Sequence, residues 1–306
     1  MPSLDVYCFG HVTTGVILRL KDRYPEPDGY AEIAENLENH AGEAAGSALV
    51  LNRLGARVAL EGNWIGDTPA CRRTLDFLRK RGIDCSGLVV KPGYAGVNEI
   101  VISDGASRTV FGRFGDLLST TVQWPPPDLE KLRAAKIVCV DPSFGETTLR
   151  VARAAKEFGR LLVTSDARHD GELARLADAN VVSGELIRRD YPEASTSEDA
   201  RARLFEAFLE HAPGLVVFTA GSRPAWYAQR GEPRSEMPPF AVEVVDSAGA
   251  GDGFRGGLIH GMLRGLPDDA MVQFASAVAA LICTRAPGCV HAPTLDEVRT
   301  QIARQR

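Results

Sequence analysis

Short apolar runs and segments with helical spacing of apolar residues alternate along most of the chain. The apolar runs predict strands at 5–10, 57–62, 137–140, 161–165, 179–182 and 214–219. The periodic segments predict helices at 42–54, 69–81, 146–158 and 197–211. After a last predicted strand at 242–245, helix follows helix at 250–264, 267–285 and 295–304. This alternation is typical of an α/β fold with a largely parallel sheet.

Two segments have a different pattern, in which short strand-like runs are separated by turns. Two short strands are predicted between 94 and 115, on either side of Asp104-Gly105, and a further strand of the same kind at 31–39. Another strand is predicted at 16–20, after the first strand of the chain. We expect the short strands of 94–115 and 31–39 to form a small accessory sheet, a lid on the α/β body. The prediction is therefore one domain over 1–306, with lid segments at about 12–40 and 94–115 inserted in it.

Composition narrows the function classes. The chain has 306 residues, 44% of them hydrophobic, and a formal net charge of −5, which fits a folded, soluble protein. An isoelectric point of about 5.8 argues against nucleic-acid binding, and no apolar run is long enough to span a membrane. The six cysteines are scattered, without the spacing of a disulfide framework or a zinc site, and the amino terminus lacks a secretory pattern. These features predict a cytoplasmic protein.

The densest chemical signal is the small-residue loop that precedes the helix predicted at 250–264. Gly249, Ala250 and Gly251 can bring backbone N–H groups close to an anion, at the positive end of that helix. Asp252 follows them, and beside a phosphate site a carboxylate makes sense as a general base for a hydroxyl nucleophile. For the loop taken alone, a simple helix-capping role for Asp252 is about equally favoured.

The same loop contains a second pattern, the dinucleotide fingerprint Gly-x-Gly-x-x-Gly at 251–256. That fingerprint also requires a strand after the helix, with an acid that holds the ribose. Here Leu266-Pro267 leads into another helix, so a dinucleotide site is the weakest interpretation. No phosphate-binding loop ending in Gly-Lys occurs either.

The segment Asp246-Ser-Ala-Gly-Ala-Gly-Asp-Gly-Phe resembles the carboxy-terminal signature of the ribokinase-like carbohydrate kinases, the phosphofructokinase-B type. The resemblance extends to 5–10, 41–48, and Phe218-Thr-Ala-Gly. It implies an α/β fold, a three-layer α/β/α sandwich with a small β-sheet lid. It also implies ATP-dependent phosphorylation of a sugar or sugar-like polyol.

The resemblance also implies roles for individual residues. The family's base falls on Asp252 and its anion hole on Gly249, Ala250 and Gly251. Besides ATP, it implies Mg²⁺ and, in many members, a monovalent cation such as K⁺, as well as a homodimer formed through the lid. The implied nucleotide contacts are Thr219, Gly221 and Ser276; the implied metal ligands are Glu185 and Asp166 for Mg²⁺ and Asp246 for the monovalent cation.

The sugar pocket departs from the family pattern. The family's substrate-binding Asp falls on Gly15, its Gly-Gly-Asn on 41–43, and its next Asn on Gly46. Glu43 makes this pocket more acidic, which opposes an anionic substrate unless Arg108 or Arg113 offsets it. We therefore expect a neutral polyhydroxylated substrate. The predicted substrate-binding residues are Gly42, Glu43, Asn98 and Arg113; for Asn98 and its neighbour Glu99, a solvated strand face is an equally open interpretation.

Two other functions remain open on the sequence. A nucleoside or vitamin kinase of the same fold would differ only in the acceptor pocket, where aromatic stacking would reveal it. A non-catalytic sugar or nucleotide sensor is motivated by the altered positions Gly15 and Gly46.

Overall fold

The computed structural model describes residues 4–104, 107–115 and 123–305. Eight strands form the main sheet in the order β14-β13-β12-β11-β10-β9-β1-β4, and four form a second sheet in the order β3-β2-β7-β8. The strands are β1 Val6–Gly10, β2 Thr13–Leu20, β3 Ile33–Ala41, β4 Val58–Gly62, β5 Ile65–Gly66, β6 Val90–Lys91, β7 Asn98–Ser103, β8 Arg108–Gly112, β9 Ile137–Val140, β10 Leu161–Ser165, β11 Ala179–Val182, β12 Leu215–Phe218, β13 Ala225–Ala228 and β14 Ser235–Met237.

The helices lie between and after these strands. They are α1 Glu43–Arg53, α2 Pro69–Lys80, α3 Leu129–Ala134, α4 Glu146–Glu157, α5 Glu172–Leu176, α6 Gly184–Asp190, α7 Pro192–Thr196, α8 Glu198–His211, α9 Ala250–Leu263, α10 Asp268–Cys283 and α11 Leu295–Arg304. Among the described residues, no helix is both long enough and apolar enough to cross a membrane.

Successive residues of β1 pack into different cores. Val6 and Cys8 lie in a cluster that contains side chains of α1, α2, α9, α10 and α11, whereas Tyr7 and Phe9 lie in a cluster with side chains of α3 and α4. Because successive strand residues point to opposite faces, helices cover both faces of the main sheet. The predicted α/β/α sandwich is therefore confirmed, and the pairs from β12 to β4 are parallel as expected.

The second sheet is formed by the segments that the sequence separated from the body. β2 pairs with β3 and β7 pairs with β8 in antiparallel fashion, while β2 and β7 are parallel neighbours. We call these four strands the lid sheet. One of its faces lies over the carboxyl ends of the main-sheet strands, where it lines the cavity described below.

The strand predicted at 242–245 is absent from the structure. This segment is irregular, and the N–H groups of Val245 and Asp246 donate to the Cys283 carbonyl at the end of α10 instead of a strand. Val244 is 52% exposed, so the apolar pattern does not reflect burial here. The antiparallel strands β13 and β14 complete the main sheet at the edge beyond β12, and the apolar pattern does not predict them.

Candidate active site

A cavity of 280 Å³ lies between the lid sheet and the carboxyl ends of the main strands. Residues from the two halves of the chain meet in it, among them Gly42 and Glu43 from one half and Gly249 and Asp252 from the other. Its described lining residues are His11, Thr13, Ile17, Asn39, Gly42, Glu43, Glu99, Val101, Arg108, Val110, Phe114, Glu185, Ala248, Gly249, Asp252, Gly288 and Cys289.

The glycine-rich loop turns into α9 at Gly249. This residue has φ of 80°, a left-handed conformation that favours glycine, and a Cβ there would lie 2.6 Å from the Cys289 Sγ. Gly249 is the N-cap of α9, and no side chain caps the helix. Asp252 stands in the first turn and lines the cavity, so the geometry does not support the capping role.

Burial raises the pKa of Asp252 to about 7. Arg255 and Arg108 oppose this shift, whereas the negative charges of Asp141 and Glu99 add to it. A pKa near neutral suits a general base, because a substantial fraction of the carboxyl groups is ionised at physiological pH while the carboxylate is basic enough to accept a proton.

Gly46 of α1 lies directly against this carboxylate. A Cβ at Gly46 would be 2.8 Å from the Asp252 Oδ2, so a side chain here would displace the base. The neighbouring Ser47 Oγ donates to the Asp252 carbonyl oxygen at 3.2 Å. The sequence shows Gly46 only as a position where the family's asparagine is missing. The structure shows that Gly46 packs against the Asp252 carboxylate.

Gly15 has a similar relation to Glu99. The two residues are partners in the β2–β7 register, and a Cβ at Gly15 would lie 2.8 Å from the Glu99 Cγ. Asn39, the β3 partner of Gly15, donates from Nδ2 to the Glu99 Oε1 at 3.1 Å. The carboxylate of Glu99, held by Asn39, therefore lies beside Gly15, the position where the family has an aspartate and this chain does not. Burial raises the pKa of Glu99.

Glu43, the first residue of α1, brings another carboxylate into the cavity. Desolvation in the cavity raises the pKa of Glu43 well above its usual value. The negative charge of Asp141 adds to this shift, and Arg255 opposes it. The Glu43 Oε2 lies 3.9 Å from the Nδ1 of His11. Burial lowers the pKa of His11, which favours the neutral imidazole. The cavity wall is therefore acidic on this side.

Arg108 links the lid sheet to the glycine-rich loop, because its Nη1 donates to the Ser247 carbonyl oxygen at 2.8 Å. The other two lid residues predicted to bind substrate, Asn98 and Arg113, are not among the described residues that line the cavity. Asn98 Nδ2 donates to the Gly96 carbonyl at 3.1 Å, and the Arg113 N–H donates to the Asn98 carbonyl at 2.8 Å. From the lid sheet, Glu99 and Arg108 line the cavity, whereas Asn98 and Arg113 do not.

The predicted magnesium ligands lie at the carboxyl ends of β10 and β11. Both oxygens of Asp166 accept hydrogen bonds from Ser183, from its N–H at 2.7 Å and from its Oγ at 2.9 Å. Burial raises the pKa of Asp166, and the Ser183 bonds oppose that shift. Glu185 lines the cavity two residues further on. Carboxylate oxygens are suitable ligands for Mg²⁺, so Glu185 can hold the ion while Asp166 fixes the turn that carries it.

The carboxylate of Asp246 is buried and only partly hydrogen-bonded. Its Oδ1 accepts from the Ala248 N–H at 3.0 Å, whereas its Oδ2 has no hydrogen-bond partner among the described residues. A buried carboxylate oxygen without a donor fits the predicted monovalent cation.

The residues predicted to bind nucleotide lie in two places. Thr219 and Gly221 are near the turn at 183–185, and Ser276 is on α10. The Thr219 N–H donates to the Val182 carbonyl at 2.9 Å, and a Cβ at Gly184 would lie 3.4 Å from the Thr219 carbonyl oxygen. Gly221 has φ of 62° and is exposed beside it. Ser276 is half-buried on α10. None of the three lines the described part of the cavity.

Comparisons with known proteins agree with this architecture. The model of the pfkB family carbohydrate kinases matches residues 3–295. The chain is 30% identical to an ATP-dependent ribose-1-phosphate kinase of Halopiger xanaduensis, over 94% of this chain and 95% of the relative. It is 26% identical to a nucleoside kinase of Methanothermobacter thermautotrophicus, over 91% and 89%. A crystal structure from Agrobacterium tumefaciens, of a proposed ribokinase, matches with a TM-score of 0.86 at 26% identity, over 99% and 98%.

Proposed function

The chain belongs to the pfkB family of carbohydrate kinases and is a phosphotransferase, and from that premise we propose its specific reaction. The protein transfers the γ-phosphoryl group of ATP to a hydroxyl of a small, neutral sugar or polyol. The observation that carries this proposal is the cavity itself, in which Asp252 and the Gly249 turn face an acidic wall formed by Glu43 and Glu99.

In the proposed mechanism, Asp252 receives the proton of the acceptor hydroxyl as its oxygen attacks the γ-phosphorus. The bond from that phosphorus to the bridging oxygen breaks, and ADP leaves with the electron pair. The amides of Gly249, Ala250 and Gly251 stabilise the charge on the phosphoryl oxygens, and the lid sheet excludes water. Magnesium held by Glu185 would neutralise phosphate charge, and Asp246 would hold K⁺.

The charges of the cavity support the neutral acceptor. Three carboxylates, Glu43, Glu99 and Asp252, line it, and Arg108 is the only Lys or Arg among its described lining residues. That arginine already donates to the Ser247 carbonyl. An anionic acceptor would therefore find no uncommitted cationic side chain among the described lining residues, and each of these carboxylates repels it when ionised. Ribose 1-phosphate, the substrate in the name of one relative, is the anionic compound to test against this expectation.

The test is a measurement of ADP release with a panel of neutral sugars, polyols, nucleosides and ribose 1-phosphate. We expect the highest kcat/KM with a neutral sugar or polyol, and a loss of about 10²–10⁴-fold in Asp252→Asn. Asp296→Asn, a change of the same type at an exposed position, is the matched control. Preferred turnover of ribose 1-phosphate would contradict the neutral acceptor, and full activity of Asp252→Asn would contradict the mechanism.

A second candidate, nucleoside phosphorylation, has one observation in its favour. Phe114 lines the cavity, with its ring centroid 6.0 Å from that of His11, and an aromatic face can stack on a nucleobase. One relative carries the name nucleoside kinase. If this candidate holds, Phe114→Ala raises KM for nucleosides more than for free sugars. Equal effects on both acceptor classes would exclude it.

We also propose that two copies of the chain pair through the outer face of the lid sheet. Glu99 and Val101 line the cavity, so Ile100 between them faces away from it. Its partners across the strands are Val16 and Phe111. Ile100 is 44% exposed and Phe111 is 51% exposed, which is unusual for large apolar side chains on one sheet face.

A further inference from the structure

A buried charged pair interacts electrostatically with the proposed base. Arg255, one helical turn after Asp252 on α9, is 1% exposed, and its Nη1 lies 2.6 Å from the Oδ1 of Asp141. Asp141 is fully buried and directly follows β9. No sequence pattern indicates a role for either residue. A buried ion pair is costly to desolvate, so its position beside the reacting group calls for a functional explanation.

Contacts from α1, from the end of β10 and from the end of β1 hold the pair in place. The Arg255 Nε donates to the Ser47 Oγ of α1 at 2.9 Å, and its Nη1 also donates to the Ser165 Oγ at the end of β10, at 2.9 Å. The Asp141 Oδ2 accepts from the His11 N–H at 2.7 Å. At the end of β1, a Cβ on Gly10 would lie 1.9 Å from that Oδ2, so the backbone leaves room for this carboxylate.

The contacts also connect the pair to the base. Ser47 accepts from Arg255 and donates to the Asp252 carbonyl oxygen, so the same hydroxyl bonds both residues of α9. The Arg255 Nη2 has no hydrogen-bond partner among the described residues. Ser47 thus ties the guanidinium to the turn of α9 that carries Asp252, and one of its nitrogens is left without an acceptor in the described part of the chain.

We propose that Arg255 and Asp141 are a positioning pair that sets the charge state of Asp252, with Arg255 stabilising the carboxylate and Asp141 limiting that effect. This inference rests on the proposed function of Asp252 as the base. The pair has opposing influences on one group, because Arg255 favours the ionised form of Asp252 and Asp141 disfavours it. The other charged or titratable groups that interact with Asp252 are Glu99 and Arg108 on the lid sheet, Glu43 on α1, Cys139 on β9 and Cys289.

The test is the pH dependence of kcat/KM for the acceptor at saturating ATP. In the wild type we expect a rise with pH around 7, as Asp252 loses its proton. Arg255→Met should move this rise upward by about 1 pH unit and Asp141→Asn should move it downward, while the double variant should return towards the wild type. A purely structural role would not give opposite displacements.

Matched controls carry the same charge change far from the base. Asp178→Asn removes a carboxylate that pairs with Lys156 just before β11, at the opposite end of the sheet. Arg153→Met removes an exposed arginine that pairs with Glu172. Neither should move the profile. Displacements in the same direction for Arg255→Met and Asp141→Asn, or none, would overturn the proposal.

A second measurement makes the test independent of activity. In each background, the melting temperature is compared with that of its Asp252→Asn derivative from pH 4 to 9. The difference between the two curves grows with pH until Asp252 is ionised in the folded protein, and then it stays constant. The pH at which it becomes constant should follow the same order, highest for Arg255→Met and lowest for Asp141→Asn. If Arg255→Met does not fold, Asp141→Asn alone decides: a transition pH equal to or above that of the wild type would overturn the proposal. Lack of turnover with every acceptor, with the thermal order intact, would count against the proposed function alone.

Discussion

Gly46 leaves room for the carboxylate of Asp252 because it has no side chain. The Asp252 Oδ2 would lie 2.8 Å from a Cβ at this position, and the two residues belong to helices that pack closely against each other. The family pattern has an asparagine here, which this chain lacks. The structure instead makes Gly46 the residue that determines where the carboxylate of the base can lie.

We therefore predict that Gly46→Ala lowers kcat by about 10²-fold, because a displacement near 1 Å can cost that much in a positioned reaction. The control is Gly256→Ala in the same helix contact, where a Cβ would lie 2.8 Å from the Val50 Cγ1. Both variants crowd α1 and α9, and only the first touches the base. Steady-state kinetics on folded protein, checked by circular dichroism, should separate them. Equal losses in kcat would contradict the role of Gly46.

The raised pKa of Asp252 also predicts a cost in stability. A carboxyl group whose pKa rises from 3.8 unfolded to about 7 folded binds its proton more tightly in the folded state. The free energy of unfolding therefore falls as the pH rises between these values, and the penalty is complete above them. Asp252→Asn removes it, so this variant should melt about 2 °C or more above the wild type at pH 8 and close to it at pH 4.

Calorimetry across this pH range measures the difference directly. The exposed change Asp296→Asn should leave the difference from the wild type the same at both ends of the range. A gain for Asp252→Asn that does not depend on pH would show that the carboxyl group is not the cause.

At the scale of elements, the sequence predicted most of what forms the body and less of what faces the cavity. Buried strands such as Ile137–Val140 and Leu161–Ser165 match their predicted bounds, because a continuous apolar run between polar turns has few other interpretations. The run at 242–245 failed because its backbone bonds with the end of α10, a long-range contact that no local pattern carries.

The lid strands show a different limit. Asn98 and Glu99 are neighbours on β7, and only one of them can face the cavity, since adjacent strand residues point to opposite faces. The sequence alone does not fix that choice, because a shift of one residue in register exchanges the two faces. The registers with Thr14 and Gly15 place Glu99 at the cavity. The pairing of Arg255 also depends on a long-range contact. Arg255 lies in a helix of small and apolar residues, and its partner Asp141 is 114 positions away, so no local pattern connects the two.

The contact between the lid sheet and the glycine-rich loop supports a prediction about closure. Arg108→Ala removes the donor to the Ser247 carbonyl, so the lid sheet should close less firmly and admit water. We expect a higher KM for the acceptor and a larger share of ATP hydrolysed without transfer. Arg19→Ala, on the same sheet, removes an arginine that pairs with Glu35 and does not line the cavity.

Comparing ADP release with phosphorylated product gives the ratio of hydrolysis to transfer for each variant. An increase in Arg108→Ala with none in Arg19→Ala would support the contact as part of closure. An unchanged ratio in both variants would mean that closure does not depend on Arg108.

At the scale of the whole molecule, one sheet serves two surfaces. The inner face of the lid sheet carries Glu99 and Arg108 into the cavity, while its outer face presents Ile100 and Phe111 to solvent. Ile17, Val101 and Val110 also line the cavity from the inner face, so the lid sheet has apolar side chains on both faces, unlike an ordinary surface sheet. A second copy packed on that face would remove the apolar area from water and stiffen the lid sheet from behind.

The last prediction concerns that assembly. Sedimentation equilibrium of the wild type should give about twice the chain mass of 33.0 kDa. Phe111→Lys and Ile100→Lys should each shift it towards the single chain, because a two-fold axis places every substitution at the interface twice. Leu161→Lys is the matched control, since Leu161 is also apolar and 42% exposed but lies on β10, outside the lid sheet. A monomeric wild type, or a dimer that both lid variants leave intact, would exclude this interface.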